Sequence, residues 1–82
     1  MKNKFTVEIY GQMYHIVGKA SPGYIREVAG HVDEKMRGIA KNNPRLDTAK
    51  LAVLSAVNIT DSYLKLKQEY EEILHLIEDD QP

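Results

Sequence analysis

The side chains that could hold a metal or move a proton are three histidines, His15, His31 and His75, and a spread of carboxylates. Glu27 and His31 stand four residues apart, a spacing that on a helix puts both on one face within reach of a divalent ion. No second pair with ligand spacing accompanies them, so a solvated ion pair is expected instead. His15 is expected to pair with Glu8 across a hairpin, and His75 to sit on a helix surface. Asp33-Glu34 and Glu71-Glu72 are adjacent carboxylates, expected on helix surfaces without an enclosing pocket and therefore facing solvent. Gly18-Lys19 lacks the upstream glycine of a phosphate loop, and no nucleophile–base signature occurs. The chain has no cysteine, which excludes disulfides and thiolate metal sites. No catalytic residue, metal, cofactor or small-molecule substrate is expected from this inventory, and so no enzyme.

What remains is the chemistry of binding. Lys35, Arg37, Lys41 and Arg45 gather around the end of one segment and the turn after it. They read either as a solvated face or as a docking surface for an acidic partner, whose binding would weaken with salt. The net charge is −1, which gives no general pull toward nucleic acid or anionic membrane. A small nucleic-acid-associated dimer is disfavoured on that ground, since phosphate binding needs a basic face. No run of 18 apolar residues exists, so no membrane insertion is expected. Met1-Lys2-Asn3-Lys4 leads into an alternating segment and not an apolar stretch, so no signal peptide is expected and the cytoplasm is the expected location.

These groups are carried by few elements. Ala49, Ala52, Ala56, Ile59, Tyr63, Leu66, Tyr70, Ile73 and Ile77 recur in steps of three and four, the heptad seam of a coiled coil. The spacing predicts one helix from about Asp47 to Asp79, roughly 50 Å long at 1.5 Å per residue. From Leu51 to Leu64 it is apolar nearly all round, which predicts a buried spine; beyond Lys65 it narrows to the seam, which predicts an exposed rod. Leu74 and Leu76 widen the stripe near its end and favour more than two helices there. Asp79-Asp80-Gln81-Pro82 is expected to fray. Tyr63 and Tyr70 read as core packing, or as register pins whose hydroxyls find partners across a bundle. Asn58 sits in the most apolar stretch, where its amide needs a partner in the head or in another protein.

Ahead of the long helix, Phe5-Thr6-Val7-Glu8-Ile9-Tyr10 and Met13-Tyr14-His15-Ile16-Val17 alternate as strands. A two-residue type II′ turn at Gly11-Gln12 would set Tyr10 opposite Met13 and Val7 opposite Ile16. Phe5, Val7, Ile9, Tyr14 and Ile16 then share one face. A lone hairpin is marginal, so a helix on that face and a second hairpin on an open edge are expected. Ser21-Pro22 starts an amphipathic helix with Ile25, Val28, Ala29, Val32, Met36, Ile39 and Ala40 on its core stripe. Gly30 and Gly38 read as places where another backbone comes close. Asn42-Asn43-Pro44 ends the helix, with Asn able to take a left-handed cap. The fold class is therefore α+β. Residues 1–46 form the hairpin and first helix of a small dimeric head. Residues 47–82 form the long helix, half in the head core and half a coiled-coil rod.

Two stretches, Phe5-Thr6-Val7-Glu8-Ile9-Tyr10-Gly11 and Asp47-Thr48-Ala49-Lys50-Leu51-Ala52-Val53-Leu54-Ser55-Ala56-Val57-Asn58, resemble the ZapA family of bacterial cell-division proteins. The resemblance covers essentially the whole chain, and the second stretch is the more specific. It implies a non-catalytic cytoplasmic protein of the mid-cell division site that binds the tubulin-like GTPase FtsZ, bundles its filaments and stabilises the division ring. It implies dimers through the heads and tetramers through antiparallel pairing of the tails. Ala56, Ile59, Tyr63, Leu66, Tyr70, Ile73 and Ile77 would then be oligomerisation residues, and Lys35, Arg37, Lys41 and Arg45 would meet FtsZ. The tail here is shorter than in some relatives, which implies a shorter span between heads. The alternative is a coiled-coil adaptor or regulatory subunit that offers its rod to another helical partner.

Overall fold

The computed structural model describes residues 2–79, so the expected frayed end at Asp80-Gln81-Pro82 lies outside the described residues. Two strands, β1 (Asn3–Ile9) and β2 (Gln12–Gly18), pair antiparallel and are followed by α1 (Pro22–Asn42) and α2 (Thr48–Asp79). The hairpin packs on α1 and α1 packs on α2, while the hairpin does not reach α2. Helix α1 is thus the middle layer of the head.

The hairpin register differs from the expected one. Ile9 stands opposite Gln12, Val7 opposite Tyr14 and Phe5 opposite Ile16. The turn is Tyr10-Gly11, with φ +50° and +79°, which is type I′ and not type II′. Positive φ at both central residues matches the right-handed twist of the strands. The slip is two residues, so the alternation of faces is kept: Val7 is buried, Phe5, Ile9 and Ile16 are half-buried, and Tyr14 is exposed, since β1 and not β2 packs on α1. What changes is the cross-strand pairing. His15 shares a 3.0 Å hydrogen bond between its Nδ1 and Thr6 Oγ1, and Glu8 faces Met13, so the expected Glu8–His15 pair does not form. Among the described residues the sheet has two strands, with no second hairpin on either edge.

Helix α1 begins as its residues dictate. Ser21 Oγ accepts from the Tyr24 amide at 3.3 Å, and Pro22 occupies the first turn, where its missing N–H costs nothing. Its end differs from the expectation. Asn43 has φ −139°, not a left-handed value; its side-chain Nδ2 donates to Ile39 O at 3.0 Å and its amide to Ala40 O. The side chain itself satisfies the last carbonyls, so no left-handed cap is required. Asp47 caps α2, accepting from the Lys50 amide at 2.8 Å. A Cβ at Gly30 or Gly38 would meet nothing within 4 Å, so no backbone of this chain approaches either glycine. Glu27 and His31 form no ion pair with each other among the described residues.

The buried side chains are few: Val7, Ala29, Met36, Leu51 and Ser55. Ser55 resides in this core because its hydroxyl donates to Leu51 O at 2.7 Å, leaving no unpaired polar atom. The expected spine from Leu51 to Leu64 is covered on one side only. Within the chain Leu51 and Ser55 are covered, whereas Val53, Leu54, Val57, Ile59, Tyr63 and Leu64 are exposed. The molecule measures 55 × 39 × 15 Å. Helix α1 is the one described element that packs on α2, and it covers a single side of it, so these side chains have no cover from the described residues.

This division predicts two kinds of defect. Leu51 is 2% exposed, and Leu51→Ala should remove about 2–5 kcal/mol of stability through the cavity it leaves. Leu54 is 42% exposed, so Leu54→Asp should act chiefly by blocking association of copies. Urea unfolding followed by circular dichroism, with sedimentation in parallel, reads both. A Leu54→Asp chain that still dimerises would show that this face is not used.

Candidate functional site: a latched hairpin tip and an uncovered helix

The residue with the most constrained surroundings outside the core is Asp33, which the sequence suggested was plain surface charge. One carboxylate oxygen accepts from the Tyr10 amide at 2.7 Å and the other accepts from Arg37 Nε at 2.9 Å. The Arg37 guanidinium in turn lies over the Tyr10 ring, 5.6 Å from its centroid. One carboxylate thus ties the left-handed turn residue to α1 across 23 positions of sequence. The Arg37 hydrogen bond and the Tyr10 amide hold the Asp33 carboxyl below its ordinary value, and Asp33 raises Arg37 in return. The spacing Asp33-x-x-x-Arg37 is the signal that could have exposed this pair, since the residues lie one turn apart.

The latch divides the four basic residues. Arg37 is committed to Asp33 and Tyr10, although its side chain remains 57% exposed. Lys41 lies one turn further along the same face of α1, is exposed, and forms no ion pair among the described residues. Arg45 is exposed in the α1–α2 turn. Lys35 lies on another side of α1 and lines an open cleft with His31, Glu34, Asn43 and Asn58. Asn58 is exposed at that cleft and makes no side-chain hydrogen bond among the described residues. Among the described residues, no cluster of three or more histidine, aspartate or glutamate side chains converges to hold a metal.

The largest chemical feature is the uncovered surface of α2. Ile59, Tyr63, Leu66, Tyr70, Ile73 and Ile77 are all exposed, and Ala56 with them, so the expected seam runs open along the helix. A second apolar strip, Leu46, Ala49, Val53 and Leu54, lines a shallow groove at the start of α2. The face that carries Leu51 and Ser55 is used by α1. At 100° per residue Ala49 belongs to the seam, with Val53 and Leu54 extending it round the helix, and the side that carries Leu51 and Ser55 is the one that α1 covers. Contiguous apolar surface of this extent marks an association surface.

Comparison with known proteins agrees with this geometry. A family model described as "Cell division protein ZapA" matches residues 5–80. The chain is 56% identical over 73 residues to "Cell division protein ZapA" of Geobacillus sp. (strain WCH70), covering 89% of this chain and 84% of that one. It is 56% identical over 72 residues to the protein of the same name from Bacillus pumilus (strain SAFR-032), covering 88% and 85%. A solved structure described as "ZapA mutant dimer from Geobacillus stearothermophilus" superposes with a TM-score of 0.76 at 49% identity, covering 95% of this chain and 91% of that one. The chain belongs to the ZapA family of cell-division proteins, and its α+β fold is the fold of that dimer's subunit. Self-association has the same support. Among the described residues no helix is long and apolar enough to cross a membrane.

The latch makes a prediction about acid. Because the folded Asp33 titrates below its ordinary value of 3.8, its stabilising effect is present above that value and lost as pH falls through the lower folded value. The Tyr10 amide shift in NMR should follow that titration, and Arg37→Gln should move the midpoint upward. A Tyr10 amide insensitive to pH in this range would mean that Asp33 does not hold the turn.

Proposed function

We propose that this member of the ZapA family binds FtsZ in the cytoplasm, cross-links and bundles its filaments, and so stabilises the division ring at mid-cell. The observation that carries the proposal is the continuous uncovered seam from Ala56 to Ile77, on which no other described element packs. Heads pair to bury the start of α2, and rods pair to bury Tyr63, Leu66, Tyr70, Ile73 and Ile77. A tetramer built this way carries binding heads at both ends of a stiff rod. A second head then engages a neighbouring filament at the high effective concentration set by the rod, which converts weak docking into bundling. The activity is mechanical and needs no catalytic step.

The docking charges are Lys35, Arg37, Lys41 and Arg45, with Lys41 and Arg45 the freest of the four. Exposed cations at a rim act through encounter rate and are screened by salt, so binding to an acidic partner weakens as ionic strength rises. The fixed position of Arg37 gives the cluster a defined edge against the hairpin tip.

Two substitutions separate assembly from docking. Ile73→Glu with Ile77→Glu places charge in the seam and should leave dimers that bind filaments without bundling them. Lys41→Glu with Arg45→Glu should leave the tetramer intact and weaken filament binding by about 1–3 kcal/mol. The measurement is pelleting with polymerised FtsZ over a salt series, with oligomer size from light scattering. A charge-reversed tetramer that pellets undiminished would move the docking surface to the hairpin around Glu8, Tyr10 and Gln12. Failure of the unmodified protein to pellet with FtsZ would favour the adaptor reading, in which the rod takes another helical partner.

A further inference from the structure

The hairpin tip and the basic end of α1 are far apart in sequence, and the latch joins them. Asp33 gives one carboxylate oxygen to the Tyr10 amide and the other to Arg37 Nε. That leaves the far end of the guanidinium open. Its two terminal amino groups enter no hydrogen bond or ion pair among the described residues, and the side chain is 57% exposed. The Tyr10 ring, 5.6 Å from the guanidinium carbon, lies against it. Lys41 stands one turn further along α1, about 6 Å in axial rise. It is exposed and enters no ion pair among the described residues.

Two carboxylates act on this arginine in different ways. Asp33 raises Arg37 most, by its hydrogen bond and its charge, and Tyr10 and Glu8 on the hairpin raise it further. Glu8 forms no ion pair among the described residues. Asp33 therefore fixes the direction of the guanidinium, whereas Glu8 only adds negative field to it. An arginine held at Nε keeps one bidentate mode, in which both terminal amino groups donate in parallel to a single carboxylate.

We infer that Asp33 is a positioning residue for docking: it holds Arg37 against Tyr10 so that the open end of the guanidinium receives a carboxylate of the partner, while Lys41 meets a second carboxylate one turn away. The inference rests on the filament docking proposed above and names the chemistry that docks. The partner surface presents two carboxylates about 6 Å apart, the separation of two acidic residues four apart on a helix. A free arginine loses rotamer freedom when it forms such a pair, and one already held by Asp33 loses less. The hairpin tip belongs to the same site, because Tyr10 backs the guanidinium and lends Asp33 its amide.

The test is pelleting with polymerised FtsZ at low salt, with oligomer size followed in parallel. Charge alone and positioning predict opposite signs. Asp33→Asn removes a negative charge from a surface that meets an acidic partner, which by field alone strengthens binding. Asparagine keeps an acceptor for the Tyr10 amide and loses the one for Arg37 Nε. It should therefore weaken binding, by about threefold. Glu8→Gln removes the same charge without releasing Arg37 and should strengthen binding. In an Arg37→Gln background, Asp33→Asn should cost nothing more, since the residue it positions is gone; a general loosening of the hairpin would cost as much again. Arg37→Lys leaves Asp33 in place, keeps the charge and loses the fork, so it should also bind about threefold more weakly. That variant does not depend on an Asp33 substitution folding. Three results each overturn the inference: Asp33→Asn that pellets as well as the original or better, a loss from Asp33→Asn that persists in the Arg37→Gln background, or undiminished binding by Arg37→Lys. If the unmodified protein does not pellet with FtsZ, the docking reading itself fails; if it pellets and the Asp33 and Arg37 variants pellet equally well, only the positioning role fails.

Discussion

Everything in this molecule follows from the mismatch between one helix and the rest of the chain. Helix α2 is 32 residues long and presents apolar side chains nearly all round over its first half, and α1 covers one side of it. The hairpin does not pack on α2, so no other described element covers the remaining apolar surface. Leaving Val53, Leu54, Val57, Ile59 and Tyr63 in water forfeits much of the apolar burial that stabilises a domain this small. Association of copies that buries this surface adds to the stability of the fold, and that contribution grows with protein concentration. Under the function proposed above, association of copies also sets the number of heads per particle.

The head solves a second problem with one carboxylate. A two-stranded hairpin is marginal alone, and a tyrosine held at φ +50° adds strain of about 1–2 kcal/mol. Asp33 answers both. It satisfies the turn amide and anchors the turn to α1, and it positions Arg37 over the Tyr10 ring. Without such a tie, the hairpin would be held to α1 chiefly by apolar contact through β1, which is less particular about position. The same arrangement gives the exposed guanidinium a fixed place at the edge of the basic residues, which would leave it less freedom to lose in the docking proposed above.

The sequence made the elements legible because each is locally signed. Ser21-Pro22 and Asp47 mark the two helix starts, and the heptad steps from Ala49 to Ile77 mark the rod. The face of each strand was legible too, since a two-residue slip leaves alternation unchanged. The turn was not. Gly11 suits the first central position of one hairpin turn and the second of another, and what decides between them is Asp33, far along the chain. The same distant contact explains why Asp33 passed for surface charge and why Arg37 passed for a free cation. The division of Lys35 from Arg37 and Lys41 was readable from helical angle alone. The use of Asn43 as a side-chain cap was less so, because both of its options satisfy the same carbonyls.

Net charge hid the last feature. A balance of −1 over the whole chain suggests no electrostatic character, yet cations outnumber anions in the head and carboxylates dominate the rod end. Separated charge of this kind acts on assembly even when it cancels in sum, because each end of the rod meets a field of definite sign. The apolar seam of the rod supplies affinity by burial. The lysines at the rod base and the glutamates at its tip add to that burial a field whose sign differs between the two ends.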